Sequence, residues 1–387
     1  MARRNSWAVC AAVLLFAACA PEAPSDDIDA RIARLVEMAD PRSPEERATQ
    51  DAEIRARYGD AVVVDALAVG AIGWSNVGFT EEHFAGLAGH EREYGMTMFN
   101  TTATNGGDGF EHVMNVLRVT REWIAERSSD YVLIESVQDI LDAKASGRTG
   151  IALNFQSSDA LEGDLTNVAP FYEAGVRQIN FTYNLPNEWA QGTTANSTDD
   201  EGLSPLGEDL VRELNRVGIV VDCSHSSDNT CIEAAAITTK PMVMSHSNAR
   251  ALHDIDRNYR DASIVAVGET GGAVCVNYLG GFLNTEGDAS ASAIARHVQH
   301  MAELIGRDKT CAGVDYVQNY DVALRPIIAD PEKYPPEQGY GSETQMAPPG
   351  DIWAVARVLE KEYGWSEEEV RGYLGENIVR VYRANWK

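Results

Sequence analysis

Residues 218–225 read GIVVDCSH and residues 241–246 read PMVMSH, two short apolar runs that each end on a histidine. Similar runs recur along the chain, and helical patterns separate most of them. The strand candidates are Ala61–Asp65, Thr97–Thr102, Gly150–Gln156, Val176–Tyr183, Gly218–His225, Pro241–His246, Gly272–Tyr278 and Thr310–Tyr316. Eight strand–helix units over roughly 250 residues are typical of an α/β protein built as a (β/α)8 TIM barrel.

The apolar runs are nearly continuous, which favours parallel strands buried on both faces. A doubly wound open sheet is the alternative fold, and it is disfavoured because no glycine-rich phosphate loop follows the first run. We expect a linker and an N-terminal helical extension over residues 19–59, and the barrel domain over residues 60–387. In the extension, Ser43–Arg47 (SPEER) is typical of a helix start, whereas Pro326–Gly350 predicts a long loop.

The composition excludes some kinds of partner. With 59 acidic and 32 basic residues, the formal net charge is -27 at pH 7. A nucleic-acid phosphate backbone requires a basic surface, so a nucleic-acid partner is excluded. The same charge disfavours electrostatic docking on anionic lipid. Apolar residues make up 44% of the chain of 387 residues, which is enough for a sizeable core.

The N-terminus, residues 1–18, is typical of a signal peptide. Arg3 and Arg4 precede an apolar stretch, Trp7–Ala18, which is too short to span a bilayer as a stable helix. Small residues stand directly before Cys19, and this pattern resembles a bacterial lipobox, in which the cysteine carries the lipid. We therefore expect an exported lipoprotein that faces the periplasm, with the outer membrane as its expected location. An ordinary secretory signal cleaved nearby is the alternative.

Four cysteines remain beyond Cys19, namely Cys223, Cys231, Cys275 and Cys311. An oxidising compartment permits disulfides between them. Three of these cysteines lie in apolar strand-like runs, where buried free thiols are also common. The sequence therefore leaves their pairing open.

Polar residues close several of the apolar runs, and they are Gln156, Tyr183, His225, His246 and Asp315. Because the active site of a TIM barrel lies at the carboxyl ends of its strands, these side chains are candidates for one shared site. Histidines at strand ends can also be structural, with their ring nitrogens bonded to the backbone.

Longer motifs agree with one known family. In chain order they are Gly202–Gly207 (GLSPLG), Val221–His225 (VDCSH), Lys240–Arg250, Asp256–Asn258 (DRN), Gly313–Asp315 (GVD) and Leu374–Val381 (LGENIVRV). From about Asp60 to the C-terminus, the chain resembles the membrane (renal) dipeptidase family. The resemblance implies a TIM barrel of the metal-dependent-hydrolase kind, and it allows a homodimer because members are often dimers.

The resemblance also implies a site with two zinc ions that activate a water for dipeptide hydrolysis. His225 and His246 match two strand-end histidines that bind metal in typical members. Asp315 matches the aspartate that handles protons near the attacking water. Arg257 matches the arginine that receives the substrate carboxylate.

Other positions depart from the family pattern. Leu67 and Val69 occupy the positions of a His-x-Asp pair on the first strand, and alternate residues of a strand share a face, so both ligands are lost together. Gln156 replaces the glutamate that bridges the two metals, and it offers one neutral acceptor in place of two anionic oxygens. Tyr183 replaces a histidine that stabilises the reacting carbonyl. A bacterial branch that the chain resembles also carries this glutamine and this tyrosine.

We therefore expect a degenerate binuclear site with at most one zinc ion, bound by His225 and His246 with Asp315 as a third donor. The first functional hypothesis is hydrolysis of a dipeptide or a related small amide. In it, Asp315 acts as general base and then acid, while Arg257, Tyr183 and Gln156 contact the substrate and the Tyr183 phenol donates a hydrogen bond.

Two further functions stay open. One is a metal-independent enzyme that acts on a modified peptide or metabolite through Tyr183, His225 and Asp315. The other is a non-catalytic lipoprotein that binds a small peptide, since Leu67 and Val69 make the expected pocket more apolar.

Overall fold

The computed structural model describes residues 28–39, 43–73, 80–318, 320–342 and 344–387. The predicted signal peptide, residues 1–18, and the predicted lipidation site, Cys19, lie outside these ranges. Within them, every helix is too short or too polar to cross a membrane.

The strands of the described residues form one parallel sheet that curls into a nearly closed barrel. Its strands follow the order β1-β2-β4-β5-β6-β7-β8-β9, and β3 pairs with β4 beside this path. They are β1 Val64–Ala68, β2 Met98–Thr104, β3 Tyr131–Leu133, β4 Thr149–Phe155, β5 Val176–Asn180, β6 Val220–Asp222, β7 Val243–Ser247, β8 Ala273–Val276 and β9 Thr310–Ala312. The predicted (β/α)8 barrel is confirmed, and the doubly wound alternative is wrong.

Each of the eight predicted runs overlaps one strand of the barrel path, whereas β3 was not predicted. β3 is only three residues long and pairs with residues 149–151 of β4, below the place where β5 pairs with residues 153–155. So short a strand carries no periodic signal of its own.

Helices cover the outside of the barrel. They are α1 Ile28–Ala39, α2 Pro44–Tyr58, α3 Glu81–Glu93, α4 Phe110–Glu126, α5 Val137–Ser146, α6 Val168–Glu173, α7 Pro205–Val217, α8 Asp228–Ile237, α9 Asp261–Glu269, α10 Gly280–Leu283, α11 Ala291–Ile305, α12 Tyr320–Ala329, α13 Asp351–Tyr363, α14 Glu367–Arg371 and α15 Asn377–Asn385. The predicted loop from Pro326 therefore begins later than expected, because α12 continues through that proline to Ala329.

The helix that delivers the chain to β6 shows why these residues form these elements. Ser204 caps α7 by accepting a hydrogen bond from the backbone N–H of Gly207, at 3.0 Å. Leu210 and Leu214, four residues apart, are both buried against the core. Gly218 ends the helix with φ at 107°, a left-handed conformation that favours glycine, and so turns the chain into β6.

The barrel closes between β9 and β1 through the residues that follow β9. The backbone N–H of Asp315 donates to the carbonyl of Leu67 at 2.9 Å. The carboxylate of Asp65 accepts the N–H of Val314 at 2.8 Å and that of Leu67 at 3.1 Å. A buried side chain thus supplies an acceptor that regular strand pairing would otherwise supply.

The C-terminal helix α15 covers the amino-terminal end of the barrel. Asn385 donates to the carbonyl of Pro241, and the Trp386 indole donates to the carbonyl of Arg177. Both acceptors lie at or just before the start of a strand. Apolar residues of α15 pack on the first residues of β1, β6, β7 and β8 in a single buried cluster. The amino-terminal end of the barrel is therefore covered by packed side chains, and a functional site is expected at the carboxyl end.

Two disulfides join the four cysteines that the sequence left unpaired. Cys275 and Cys311 are register partners on β8 and β9, with their Cα atoms 4.1 Å apart. Cys223, just after β6, is bonded to Cys231 on α8. A free Cys223 thiol is therefore not available as a metal ligand.

Two helices precede β1 in the described part of the chain. α2 begins where Ser43–Arg47 predicted a helix start, and Ser43 caps it with a reciprocal bond to Glu46. Ile32 and Leu35 of α1 are buried in the main core. Arg31 of α1 donates to the carbonyl of Gly341 at 2.8 Å, which ties the first described helix to the loop that follows α12.

The carboxylate that closes the barrel lies against a second buried acid. Asp65 and Glu91 of α3 are both fully buried. Burial raises the pKa of Asp65 to about 8, and burial together with the Asp65 carboxyl raises the pKa of Glu91 well above its ordinary value. The folded state therefore binds a proton here that the unfolded chain has released by about pH 4.

We expect this pair to make the folded state less stable as pH rises from about 4 through about 8, because the unfolded chain binds fewer protons in that window. Asp65→Asn keeps an acceptor for both backbone N–H groups and removes one titrating carboxyl. Between pH 5 and pH 8 the variant should lose less stability than the wild type, by on the order of 2 kcal/mol. Urea unfolding at both pH values measures this.

The exposed Asp142 gives the matched control, because Asp142→Asn removes one negative charge without touching the pair. If Asp65→Asn and the wild type lose the same stability over this pH range, the buried pair is not the cause of the pH dependence.

Candidate active site at the carboxyl end of the barrel

Two histidines meet at the carboxyl end of the barrel. His225 follows β6 and His246 lies in β7, and their Nε2 atoms are 2.7 Å apart. Both side chains are buried. Burial lowers the pKa of both imidazoles well below the ordinary value, and the neighbouring Arg257 guanidinium lowers it further. Both rings are therefore neutral, and one Nε2–H donates to the other Nε2.

The hydrogen-bond network assigns the proton between the two rings. Asn184 donates its amide N–H to the carbonyl of Lys333 at 2.9 Å, so its Oδ1 is the atom that faces His225. That oxygen lies 2.8 Å from Nδ1 of His225 and accepts its proton. Nε2 of His225 thus carries a lone pair, and His246 donates to it. The Ser245 hydroxyl, 2.7 Å from Nδ1 of His246, completes the chain.

Arg257 lies beside the histidine pair and is fully buried. Its Nη2 donates to the carbonyl of His246 at 3.0 Å and lies 3.5 Å from Nε2 of His225. Its Nε and Nη1 have no hydrogen-bond partner among the described residues. The guanidinium packs over the ring of Phe282, with 5.1 Å from Cζ to the ring centre. The hydroxyl of Tyr340 and the carboxyl of Asp315 also act on this buried cation, and its Nε–H and Nη1–H groups are open to a ligand.

Tyr183 and Tyr340 enclose the first histidine. The ring of Tyr183 stacks on His225 with ring centres 4.0 Å apart. The hydroxyl of Tyr340 donates to Oδ1 of Asn184 at 3.3 Å and lies 3.5 Å from Nδ1 of His225. Burial raises the pKa of both phenols above the ordinary value, so both remain protonated donors.

Asp315 follows β9 and faces the same cavity. Its Oδ2 accepts the amide N–H of Asn277 at 2.8 Å. Burial raises the pKa of Asp315 to about 6, and Arg257 opposes this rise. A carboxyl with such a pKa can accept and return a proton near neutral pH.

Gln156 and the two aliphatic positions form the floor of the site. The amide of Gln156 donates to Oγ1 of Thr102 at 3.1 Å. Leu67 and Val69 are buried and form an apolar cluster with Val317. At the positions where we expect lost metal ligands, the structure therefore has carbon at Leu67 and Val69 and a neutral amide at Gln156.

Backbone strain is concentrated at this site. Among the described residues, four that are not glycine have positive φ, and three of them are Asn184 at 58°, His225 at 67° and Asp315 at 57°. Left-handed backbone costs such residues roughly 1 kcal/mol or more each, and it persists where surrounding contacts impose it. These three turns direct the side chains into the barrel mouth.

A cavity of about 600 Å³, including the solvent space at its open side, is lined by four of the residues that the sequence singled out. Its walls include Val69, Gln156, Tyr183 and Asp315. The lid segment, residues 330–342, covers this cavity and contributes Tyr334, Tyr340 and Gly341. The site residues chosen from sequence therefore meet in one place, with Arg257 and the histidine pair buried beneath Tyr340 and Tyr183.

Sequence reasoning missed Asn184, Tyr340 and Asn277. Asn184 directly follows Tyr183, so its proximity to the site was open to inference from that motif. Asn277 lies one residue beyond β8 and carried the same strand-end signal as the residues that were chosen. Tyr340 lies in a loop without a periodic pattern, and only the folded chain brings it to His225.

The donors present do not fit a two-zinc centre. Within the described ranges, no three His, Cys, Asp or Glu side chains are grouped where they could hold one metal ion. The expected third donor, Asp315, therefore does not join the histidine pair. The Arg257 guanidinium beside His225 adds a fixed positive charge that opposes a dication. One ion would have two imidazole nitrogens as its protein ligands, fewer than zinc usually takes.

Comparison with known proteins gives one family. The sequence pattern of the membrane dipeptidases, peptidase family M19, matches residues 86–335. A protein described as an uncharacterized dipeptidase of Schizosaccharomyces pombe is 27% identical over 291 residues, or 74% of this chain and 64% of that protein. The chain thus spans less than two thirds of the length of this curated relative.

Solved structures of similar fold support this comparison. An amidohydrolase from Pseudomonas aeruginosa has a TM-score of 0.74 and 27% identity, covering 87% of this chain and 99% of that one. A metallopeptidase from Rhodobacter sphaeroides, liganded with a phosphinate mimic of the dipeptide L-Ala-D-Ala, has a TM-score of 0.66 over 84% of this chain and 99% of that one. At 18% identity, the second likeness shows the fold alone.

We expect protein purified without added zinc to contain at most one zinc ion per chain, because Leu67 and Val69 offer no donor atoms. Mass-spectrometric metal analysis measures the ratio. The variant Leu67→His/Val69→Asp/Gln156→Glu returns the three missing ligands and should bind more zinc than the wild type. Two tightly bound zinc ions in the wild type would contradict the expectation.

Proposed function

The chain belongs to the membrane dipeptidase family, peptidase family M19, and we propose that it hydrolyses a dipeptide or a related small amide whose carboxylate binds Arg257. The observation that carries this proposal is the buried guanidinium with two N–H groups that have no partner among the described residues. A buried cation without a counter-charge is costly, and a bound carboxylate offsets that cost.

The geometry of an arginine suits this role. The N–H groups on Nε and Nη1 lie on different edges of the guanidinium, so each donates singly to a ligand oxygen, and the fixed positive charge attracts the carboxylate. Its orientation is fixed by the bond from Nη2 to the carbonyl of His246 and by the ring of Phe282. In this proposal the substrate carboxylate reaches Arg257 from the adjoining cavity, whose lining residues include Tyr340, Asp315 and Tyr183, and the amide lies toward Asp315 and Tyr183.

Asp315 and Tyr183 supply the proton chemistry in this proposal. As general base, Asp315 removes a proton from the attacking water, and as acid it returns one to the leaving nitrogen. The phenol of Tyr183 donates a hydrogen bond to the oxygen that gains negative charge. The Gln156 side chain contacts the substrate from the floor of the cavity.

In this proposal at most one zinc ion per chain binds at the histidine pair, and no step of the mechanism depends on that ion. Members of the family are metallopeptidases, in which metal polarises the carbonyl and activates the water. A second candidate is a metal-independent enzyme that acts on a modified peptide or metabolite. The Arg257 guanidinium favours it, because this cation stands 3.5 Å from the lone pair of His225.

We further propose that the protein is exported and anchored by lipid at Cys19, facing the periplasm. The two buried disulfides suit an oxidising compartment. Homodimer formation stays a proposal that the family resemblance alone supports.

Replacing the buried cation tests carboxylate binding. Arg257→Gln should raise KM for a carboxylate-bearing dipeptide by at least about tenfold, because a charge-assisted pair is lost. For the same compound with its carboxylate converted to a carboxamide, wild type and variant should differ little. Steady-state kinetics with both compounds measures this.

The half-exposed Arg260 outside the cavity provides the control, since Arg260→Gln also removes one positive charge. Equal losses on both compounds in Arg257→Gln would show that the arginine does not bind the carboxylate.

Asp315→Asn tests proton transfer. The asparagine still accepts the Asn277 amide but cannot take a proton from water. We expect kcat to fall by about 10²–10⁴-fold with little change in KM. An unchanged kcat removes Asp315 from the mechanism. Saturable dipeptide binding by the wild type without turnover would instead favour the non-catalytic binding protein.

A further inference from the structure

The cavity has one continuous aromatic wall. Ring centres lie 5.7 Å apart for Tyr183 and Tyr334, 5.6 Å for Tyr334 and Tyr340, and 5.3 Å for Tyr340 and Phe282. Each of these contacts is edge to face, the arrangement that aromatic rings prefer. The wall begins at the ring stacked on His225 and ends at the ring beneath the Arg257 guanidinium.

The remaining surface of the cavity is also largely apolar. Val69, one of the expected metal-ligand positions, lines the cavity together with Val317. Further aliphatic groups come from helices and loops around the mouth, and they are Leu279, Ala323, Ile327 and Met346. A polar or charged group on a ligand would find few partners on these walls.

The charges at the cavity are unequal. Asp315 is the one acidic residue among the described residues that line it. Two cations stand close by, the buried Arg257 and Lys333, whose amine lies 5.3 Å from the ring centre of Tyr183 and 5.7 Å from that of Tyr334. The chain as a whole carries a net charge of -27, and the acids beside Lys333 lie outside the cavity lining, so the lining itself offers one carboxyl to a cationic ligand.

Three acids act on the Lys333 amine, namely Asp159, Asp108 and Asp330, and all three lie outside the lining of the cavity. Asp108 accepts the hydroxyl of Thr104 at 2.9 Å, and Asp159 accepts the amide of Asn187 at 2.7 Å. Neither carboxylate lines the cavity. A positively charged group on a ligand would therefore have Asp315 as its partner, and the proposed mechanism uses that carboxyl to move protons.

From this wall, floor and charge balance we propose that the preferred substrate is an N-acylated amino acid, with one free carboxylate and an uncharged apolar acyl group in place of a free amino terminus. The proposal rests on the proposed hydrolase function and names its substrate class. The carboxylate pairs with Arg257, and the acyl group packs against Tyr334, Tyr340 and Val69.

The reaction is a hydrolysis that needs water as its sole co-reactant. The water oxygen forms a bond to the acyl carbon, and Asp315 takes its proton. The bond from that carbon to nitrogen breaks, and Asp315 gives the proton to the leaving nitrogen. The products are an apolar carboxylic acid and a free amino acid.

A matched pair of compounds tests the proposal. Alanyl-phenylalanine and 2-methylpropanoyl-phenylalanine differ only in that the ammonium of the first is a methyl group in the second. Both stereoisomers of phenylalanine are used. We expect kcat/KM to be at least about tenfold higher for the acyl compound, because a desolvated ammonium lacks a partner on these walls.

The outcomes separate the two proposals. An equal or higher kcat/KM for alanyl-phenylalanine overturns the substrate class and leaves the hydrolase proposal standing. If neither compound is hydrolysed, the hydrolase proposal fails. Calorimetric Kd values for the same pair then decide the inference, since tighter binding of the acyl compound supports it and tighter binding of the dipeptide overturns it.

Lys333→Met supplies an independent measurement, because methionine keeps the length of the side chain and removes its charge. The preference for the acyl compound should fall severalfold in this variant, as measured by the ratio of kcat/KM or of Kd. Lys361→Met changes an exposed lysine of α13, 57% accessible, and should leave the ratio unchanged. Equal ratios in wild type and Lys333→Met would overturn the role of the second cation.

Discussion

A positive charge buried without a carboxylate partner among the described residues is the constraint on which the barrel mouth depends. Arg257 is fixed by the carbonyl of His246 and by the ring of Phe282. Burial lowers the pKa of the adjacent imidazoles and the Arg257 charge lowers it further, so both stay neutral. The same charge opposes a metal ion next to His225 and favours an anionic ligand. Apolar residues at the expected metal positions and an arginine that can bind an anion suit an anionic ligand rather than two metal ions. The departures at these positions are therefore consistent with one another.

Much of the fold could be predicted from the sequence, because near-continuous apolar runs and helical patterns are strong local signals. The closure of the barrel between β9 and β1 could not be predicted from the sequence. Asp65 is a single acid inside an apolar run, and its bond to Val314 joins segments 249 residues apart. β3 was missed for the opposite reason, since its three residues pair beside the barrel path and carry no pattern.

The site was predictable where strand ends determine it. His225, His246 and Asp315 each follow or end a strand, and parallel strands bring such residues to one rim. The burial of side chains at the site was harder to predict from the sequence. Arg257 looked like a loop residue, yet it is fully buried because the lid segment folds over it. Tyr340 came to the site by tertiary contact alone, and no local signal marks such a residue.

The link between Arg31 and Gly341 places the start of the described chain at the cavity side of the barrel. From Cys19 to Ile28 an extended chain reaches about 30 Å at most. The lipid anchor that we propose at Cys19 would therefore keep the cavity side of the barrel within reach of the bilayer surface.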